Sequence, residues 1–171
     1  MIRVVTLDSF DDKQLAKLCQ TLYTAFGVGS EHSGRIELPS ELNGTPMDAE
    51  AVVEQAKGVR AYQDDKVLFL TSRKLKDREL ASGTAPTTGF CRYGRDRGLI
   101  TSSPHKDLEA GFKATARQAL HQLGHMWELH HCLDPRCSMY PPWTPSFSAG
   151  EVIFCTFCRD KSEQKIRLAK S

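Results

Sequence analysis

In the stretch HQLGHMWELHHC, residues 121 to 132, His121 and His125 stand four apart. On a helix this spacing projects both imidazoles from one face, one turn apart, close enough to share an ion. His131 comes six residues later and cannot lie on the same straight helix face, so to supply a third ligand the chain must leave the helix between 126 and 130 and turn back. Three imidazoles around an open position suit zinc. A second donor set comes directly after: Cys132 and Cys137, then Cys155 and Cys158, a Cys-x4-Cys and a Cys-x2-Cys separated by 17 residues. Four thiolates so spaced suit a closed tetrahedral zinc site with no redox role. The alternatives, two disulfides or four buried free thiols, conflict with a reducing compartment and with the polar residues around them. Cys19 and Cys91 sit among apolar neighbours and read as packing residues.

Residues 121 to 131 resemble the extended metzincin motif His-Glu-x-x-His-x-x-Gly-x-x-His. The residues after His131 resemble those of the archaemetzincins, in which the third histidine is followed by a cysteine, then Cys-x-Met, then a Cys-x-x-Cys pair; Cys132, Cys137, Met139, Cys155 and Cys158 stand at those places. The resemblance is tight over 121 to 158, whereas upstream the order of elements and VLFLTSRKL are merely compatible with it. It implies a metzincin-like α/β (α+β) fold: a mixed sheet, an active-site helix and a C-terminal zinc-knuckle subdomain with a helix. It also implies a peptide-bond hydrolase scaffold holding two Zn2+ ions. One, of the catalytic type, would lie on His121, His125 and His131; the other, structural, on the four cysteines, would tie the segment after the active site to the C-terminal helix. Met139 would form the methionine turn beneath the histidines, and a peptide or protein would occupy the cleft.

Two positions depart from the pattern. Gln122 stands where the resembled enzymes carry the glutamate that takes a proton from the attacking water and passes it to the leaving amine. An amide transfers no proton at neutral pH, and losing a general base costs about 10² to 10⁴-fold in rate. Glu128 stands where the motif's glycine lets the chain turn out of the helix. Non-glycine residues enter that left-handed conformation at about 1 kcal/mol or more. If Glu128 kept helical dihedrals, His131 would swing away, and His130 or the Glu128 carboxylate would be left to approach the metal. On that expectation, restoring hydrolysis needs Gln122→Glu together with Glu128→Gly. The function expected is thus a zinc metalloprotease scaffold with lost or strongly reduced catalysis. A slow peptidase in which another acid group, Glu128 or a carboxylate from elsewhere, acts in place of the missing base is the alternative, and a zinc-ribbon binding module for nucleic acid, with the histidines incidental, is the third.

The elements that must position these residues are legible in the hydrophobic periodicity. IRVVTLD reads as a strand and DDKQLAKLCQTLYTAFG as a helix with Leu15, Leu18, Leu22 and Phe26 on one face, ended by Gly27. RIELP is a short strand candidate, PMDAEAVVEQAKG a short helix with Pro46 early and Gly58 past its end, and KVLFLTS a buried strand. From Arg73 to Gly98 a loop and an edge strand, GFCRY, precede the strand RGLITSS, and this region is expected to wall the cleft. The longest helical pattern runs from SSPHK to the histidines, with Ser103 as N-cap and Pro104 in the first turn; the proline-rich stretch after Met139 is irregular, and CTFCRDKSEQKIRLAK is a knuckle entering a C-terminal helix.

A chain of 171 residues, 40% hydrophobic and 26% charged, is expected to form one domain, with residues 1–130 carrying the sheet and active-site helix and 131–171 the methionine turn, cysteine site and last helix. A net charge of +2, scattered rather than blocked, gives no footprint for nucleic acid. The N-terminus lacks the plan of a signal peptide, and no apolar run approaches the roughly 18 residues of a membrane span, so the expected location is cytoplasmic, with no membrane partner.

Overall fold

The computed structural model describes residues 1–56, 59, 62, 64–80, 83–102, 108–141 and 153–169. Its elements run β1 (Ile2–Thr6), α1 (Asp12–Phe26), β2 (Ser30–Arg35), α2 (Ala49–Gln55), β3 (Lys66–Thr71), β4 (Arg78–Leu80), β5 (Gly83–Ala85), β6 (Gly89–Cys91), β7 (Arg97–Thr101), α3 (Leu108–Met126) and α4 (Thr156–Ala169). The main sheet has the order β2-β1-β3-β7-β6; its first four strands are parallel and β6 closes one edge antiparallel to β7. The expected mixed α/β sheet is therefore present, with GFCRY as its antiparallel edge.

Both faces of the sheet are covered, which is why VLFL reads as an unbroken apolar run. Ile2, Val4, Leu68, Leu70 and Ile100 face α1 and α3, whereas Val5, Val67, Phe69 and Leu99 face α2 and the segment around Leu42 and Met47. Asp11 caps α1 by accepting the Gln14 N–H at 3.0 Å, and Gly27 ends it at φ 64. Trp127, just past α3, and Phe154, just before α4, both pack on Phe26 of α1, with ring centroids 4.5 and 5.2 Å away. These contacts lock the ends of the two site-bearing helices to the first helix.

Three local expectations differ. RIELP is not a strand: the partner of β1 on its outer side is the polar Ser30–Arg35, which continues only as far as the Ile36 N–H on the Thr6 carbonyl, 3.0 Å. This strand lies at the sheet edge, so it needs backbone partners more than apolar side chains and leaves little periodic signal. Helix α2 starts at Ala49 with Asp48 as N-cap, so Pro46 lies ahead of it rather than in its first turn. The small β4–β5 hairpin was not anticipated. Ser103, Pro104, Gly58 and most of the proline-rich stretch lie outside the described residues.

An acid-sensitive anchor holds the start of the sheet. Burial alone would raise the Asp65 carboxyl, but the Tyr62 N–H at 3.0 Å, the Arg3 guanidinium at 2.5 Å and the Met1 amino group hold it at about 2. The folded value lies below the roughly 3.9 of an unfolded aspartate. Its stabilising effect is therefore complete above about pH 4 and lost as pH falls toward 2. Asp65→Asn should flatten the decline in melting temperature between pH 4 and 2; an unchanged acid limb would contradict this role.

Candidate metal centres

Helix α3 carries His121 and His125 on one face at its C-terminal end, and its termination delivers His131. The helix ends in a Schellman arrangement: the Glu128 N–H reaches the His125 carbonyl at 3.0 Å and the Leu129 N–H reaches the Gly124 carbonyl at 2.8 Å. Glu128 occupies the left-handed position at φ 60, where such a motif ordinarily has glycine. The chain therefore turns out of the helix as the glycine-bearing motif would. His131 is not diverted, and the expectation that Glu128 would misdirect it does not hold. Nor does Glu128 approach the histidines: its carboxylate pairs with Lys165 of α4.

The ligating atoms of His121, His125 and His131 all lie within 4.8 Å of one another. The Nε2 of His125 is 3.0 Å from that of His121 and 3.2 Å from that of His131. The Nδ1 atoms of His121 and His125 lie 2.9 and 2.8 Å from the carbonyls of Ser138 and Leu129. A carbonyl only accepts, so each Nδ1 carries the proton and each neutral ring presents a bare lone pair at Nε2. Lone pairs that converge this closely without a proton between them call for a cation. Zinc–nitrogen bonds of about 2.0 to 2.1 Å around a tetrahedral ion set nitrogens roughly 3.3 Å apart, close to these separations. Burial first, then the neighbouring imidazoles, lowers His121 to about 3, and burial also lowers His125 and His131, which keeps the rings in the neutral form that binds metal.

Met139 lies beneath this cluster, fully buried, and the carbonyl of its predecessor Ser138 is the one that orients His121. Its close approach depends on Gly124, midway between the helix histidines: a Cβ there would sit 2.3 Å from the Met139 Sδ. Gly124→Ala should therefore destabilise the protein by about 1 to 3 kcal/mol, as forced overpacking does, and loosen metal at the histidines. Thermal melts of the two proteins check this; equal melting temperatures would show that Met139 moves aside freely.

The four cysteine sulfurs likewise lie within 4.8 Å of one another, and all are free thiols. Sγ of Cys132 and Sγ of Cys155 are 3.7 Å apart, far beyond a bond of about 2.05 Å and close to the roughly 3.8 Å expected between thiolates bound tetrahedrally at about 2.3 Å. Backbone N–H groups of Asp134, Cys155 and Cys158 point at Sγ of Cys132, Cys137 and Cys155 at 3.4, 3.4 and 3.5 Å. Hydrogen bonds from Cys158 and from backbone amides lower Cys137 to about 5, while the hydrogen bond it gives to Cys137 pushes Cys158 up. The cluster thus stabilises thiolate charge at one sulfur and disfavours it at the next, which a cation resolves. Arg117, buried one turn before His121, donates to the Arg136 carbonyl at 2.6 Å and sets a positive charge near Cys137.

A cleft of about 450 Å³ opens over the histidines, lined on α3 by Gln118, His121, Gln122 and His125, and past the helix by His131. Its wall is Arg78 and residues 85 to 91 with Tyr93, within the span expected from sequence, and includes Cys91, which thus lines the cleft as well as packing. Burial raises the Cys91 thiol to about 12, so it stays protonated, 3.4 Å from the Gln122 carbonyl. None of the described lining residues is Asp or Glu. Gly124, Arg117, Tyr93 and Lys165 were missed by sequence reasoning; Gly124 was the legible one, since a glycine inside a helix signals close packing.

No protein-family model matches the chain, and no curated protein does. Solved structures do. An archaemetzincin from Methanopyrus kandleri aligns over 97% of this chain and 94% of its own at 20% identity, TM-score 0.80. An archaemetzincin from Archaeoglobus fulgidus, complexed with malonate, aligns over 94% and 99% at 17% identity, TM-score 0.72. A zinc-dependent peptidase from Methanocorpusculum labreanum aligns over 95% and 100% at 17% identity, TM-score 0.67. With its mixed sheet, histidine-bearing helix and C-terminal cysteine cluster, this chain has the archaemetzincin fold.

Proposed function

We propose that the protein is an archaemetzincin-like zinc metallopeptidase scaffold that binds peptide in the histidine cleft and has lost most or all hydrolytic power. The supporting observation is the combination of three convergent imidazoles with a cleft whose described lining offers no carboxylate. His121, His125 and His131 would hold the catalytic-type ion, and Cys132, Cys137, Cys155 and Cys158 a structural one. When bound, zinc supplies Lewis acidity and acidifies water. Gln122, buried beside His121 and facing the cleft, can position a water by hydrogen bonding but cannot carry its proton to a leaving amine. The outer edge of β6, which pairs with no further strand among the described residues, offers backbone groups to an extended peptide lying across the histidines, as in strand addition.

The slow-peptidase alternative needs a substitute base. Glu128, its first candidate, is occupied by Lys165 and lines no part of the cleft. Zinc-loaded protein should bind an unstructured peptide, followed by fluorescence anisotropy, yet release no fragments beyond the level of His121→Ala. Robust turnover abolished by His121→Ala would overturn the loss of catalysis and favour the slow enzyme.

A further inference from the structure

Glu128 is the only non-glycine residue with positive φ among the described residues, and it stands at the turn that decides where His131 goes. The geometry points to Tyr93 and Lys165 as positioning residues that hold Glu128 in this conformation, so that helix α4, fixed at its start by Cys155 and Cys158, supports the histidine cluster from the cysteine cluster. The inference rests on the histidines being a metal site, as proposed above.

Tyr93 follows the edge strand β6. Its hydroxyl donates to the Glu128 carbonyl at 2.5 Å, which uses its one proton, so the Nε2–H of His130, 3.0 Å away, donates to the phenol oxygen in turn. The two rings also stack, centroids 5.0 Å apart. Residues 128 and 130 are thus both held, and between them Leu129 presents the carbonyl that orients His125. The neighbouring Gly94, at φ 70, donates its N–H to the His125 carbonyl at 2.9 Å, and a Cβ on it would lie 3.3 Å from the Glu128 Cγ. The Glu128 side chain is therefore laid over this glycine toward Lys165.

Lys165 lies seven residues after Cys158, two helical turns along α4. Ser162 and Ile166, buried on the same side, set that face against the body of the protein. The sulfur cluster fixes the start of the helix and Lys165 reaches Glu128 from two turns further on. The Tyr93 ring lies beside that of His125, centroids 6.4 Å apart, and Tyr93→Phe keeps that ring, so the loss expected from removing the hydroxyl and the ammonium passes through the turn. A glutamate without these partners would favour helical dihedrals and carry His131 away.

Cobalt(II) tests this on protein whose cysteine site is already filled with zinc, because nitrogen-ligated cobalt gives a weak visible spectrum free of thiolate charge transfer. Tyr93→Phe and Lys165→Met should each weaken cobalt at the histidines by up to about fivefold, and the pair by roughly tenfold, as expected for one neutral hydrogen bond and one partly exposed ion pair. Lys165→Arg should retain affinity. With Glu128→Gly in place, Lys165→Met should change nothing, since glycine enters the left-handed region unaided. An affinity unchanged in the Tyr93→Phe, Lys165→Met pair would overturn the assignment, as would an equal loss from Lys165→Met with and without Glu128→Gly. Unaltered protein that binds no cobalt at the histidines would instead remove the metal site itself, and this inference with it; zinc content equal to that of the unaltered chain shows that each variant is folded.

Discussion

Replacing Cys155 by serine is expected to strip the cysteine-bound metal and lower the melting temperature by about 10 °C or more. A structural zinc bound by four thiolates contributes apparent free energies of about 10 to 16 kcal/mol in small folded units, and that binding energy is folding energy. The whole stability of a domain is only about 5 to 15 kcal/mol. Here the four sulfurs join the segment after α3 to the start of α4, and Cys137 and Cys158 are part of the same core as Leu22, Leu120 and Met139. Without an ion, four sulfurs gathered within 4.8 Å retain only weak hydrogen bonds, among themselves and from backbone N–H groups. A loss of a few kcal/mol already shifts the midpoint by about 10 °C in a chain of this size. His125→Ala is the informative contrast, because it should remove metal only from the histidines and leave most of the stability. Metal counting on protein purified without added zinc distinguishes the two sites. Metal-free protein melting no lower than the loaded form would refute a structural role for the cysteines.

The sequence reveals these two clusters for a physical reason: a metal dictates donor types and short spacings, and both are local. His121 and His125 need only a helix between them, and the cysteines come as two close pairs. The buried strands β1, β3 and β7 were legible because sheets covered on both faces demand apolar runs. The features that were not legible depend on distant partners. Ser30–Arg35 becomes a strand through backbone bonds to β1 at the sheet edge, with no apolar face to betray it. Glu128 read locally as an obstacle, because its own dihedral preference opposes the turn. The Schellman hydrogen bonds, the Tyr93 hydroxyl 35 residues back and the Lys165 ammonium 37 residues ahead support the opposite outcome. A preference of about 1 kcal/mol is within reach of a few such contacts acting together.

That outcome changes the expected result of repairing the site. Gln122→Glu alone should confer peptide hydrolysis roughly 10² to 10⁴-fold above the unaltered protein, without the second change Glu128→Gly that the sequence by itself suggested. The three histidines already converge, so on the function proposed above the missing proton carrier is what is left to restore. The substitution is nearly isosteric, which matters because the slot is tight: a Cβ on Gly89 of the edge strand would lie 3.1 Å from the Gln122 Cγ. The side chain is 7% exposed and lines the cleft, so a carboxylate there would have its pKa raised by burial toward the working range of a general base. It would accept a proton from the attacking water and deliver it to the departing amine. Cleavage of an unstructured peptide, followed by mass spectrometry, measures the gain, and His121→Ala added to Gln122→Glu must abolish it. If only the pair with Glu128→Gly cleaves, the left-handed turn is not held by glutamate in solution and the support from Tyr93 and Lys165 is insufficient. If neither cleaves while cobalt binds normally at the histidines, the absent base is not what silences the site, and the wall formed by residues 85 to 91 must exclude a productive peptide.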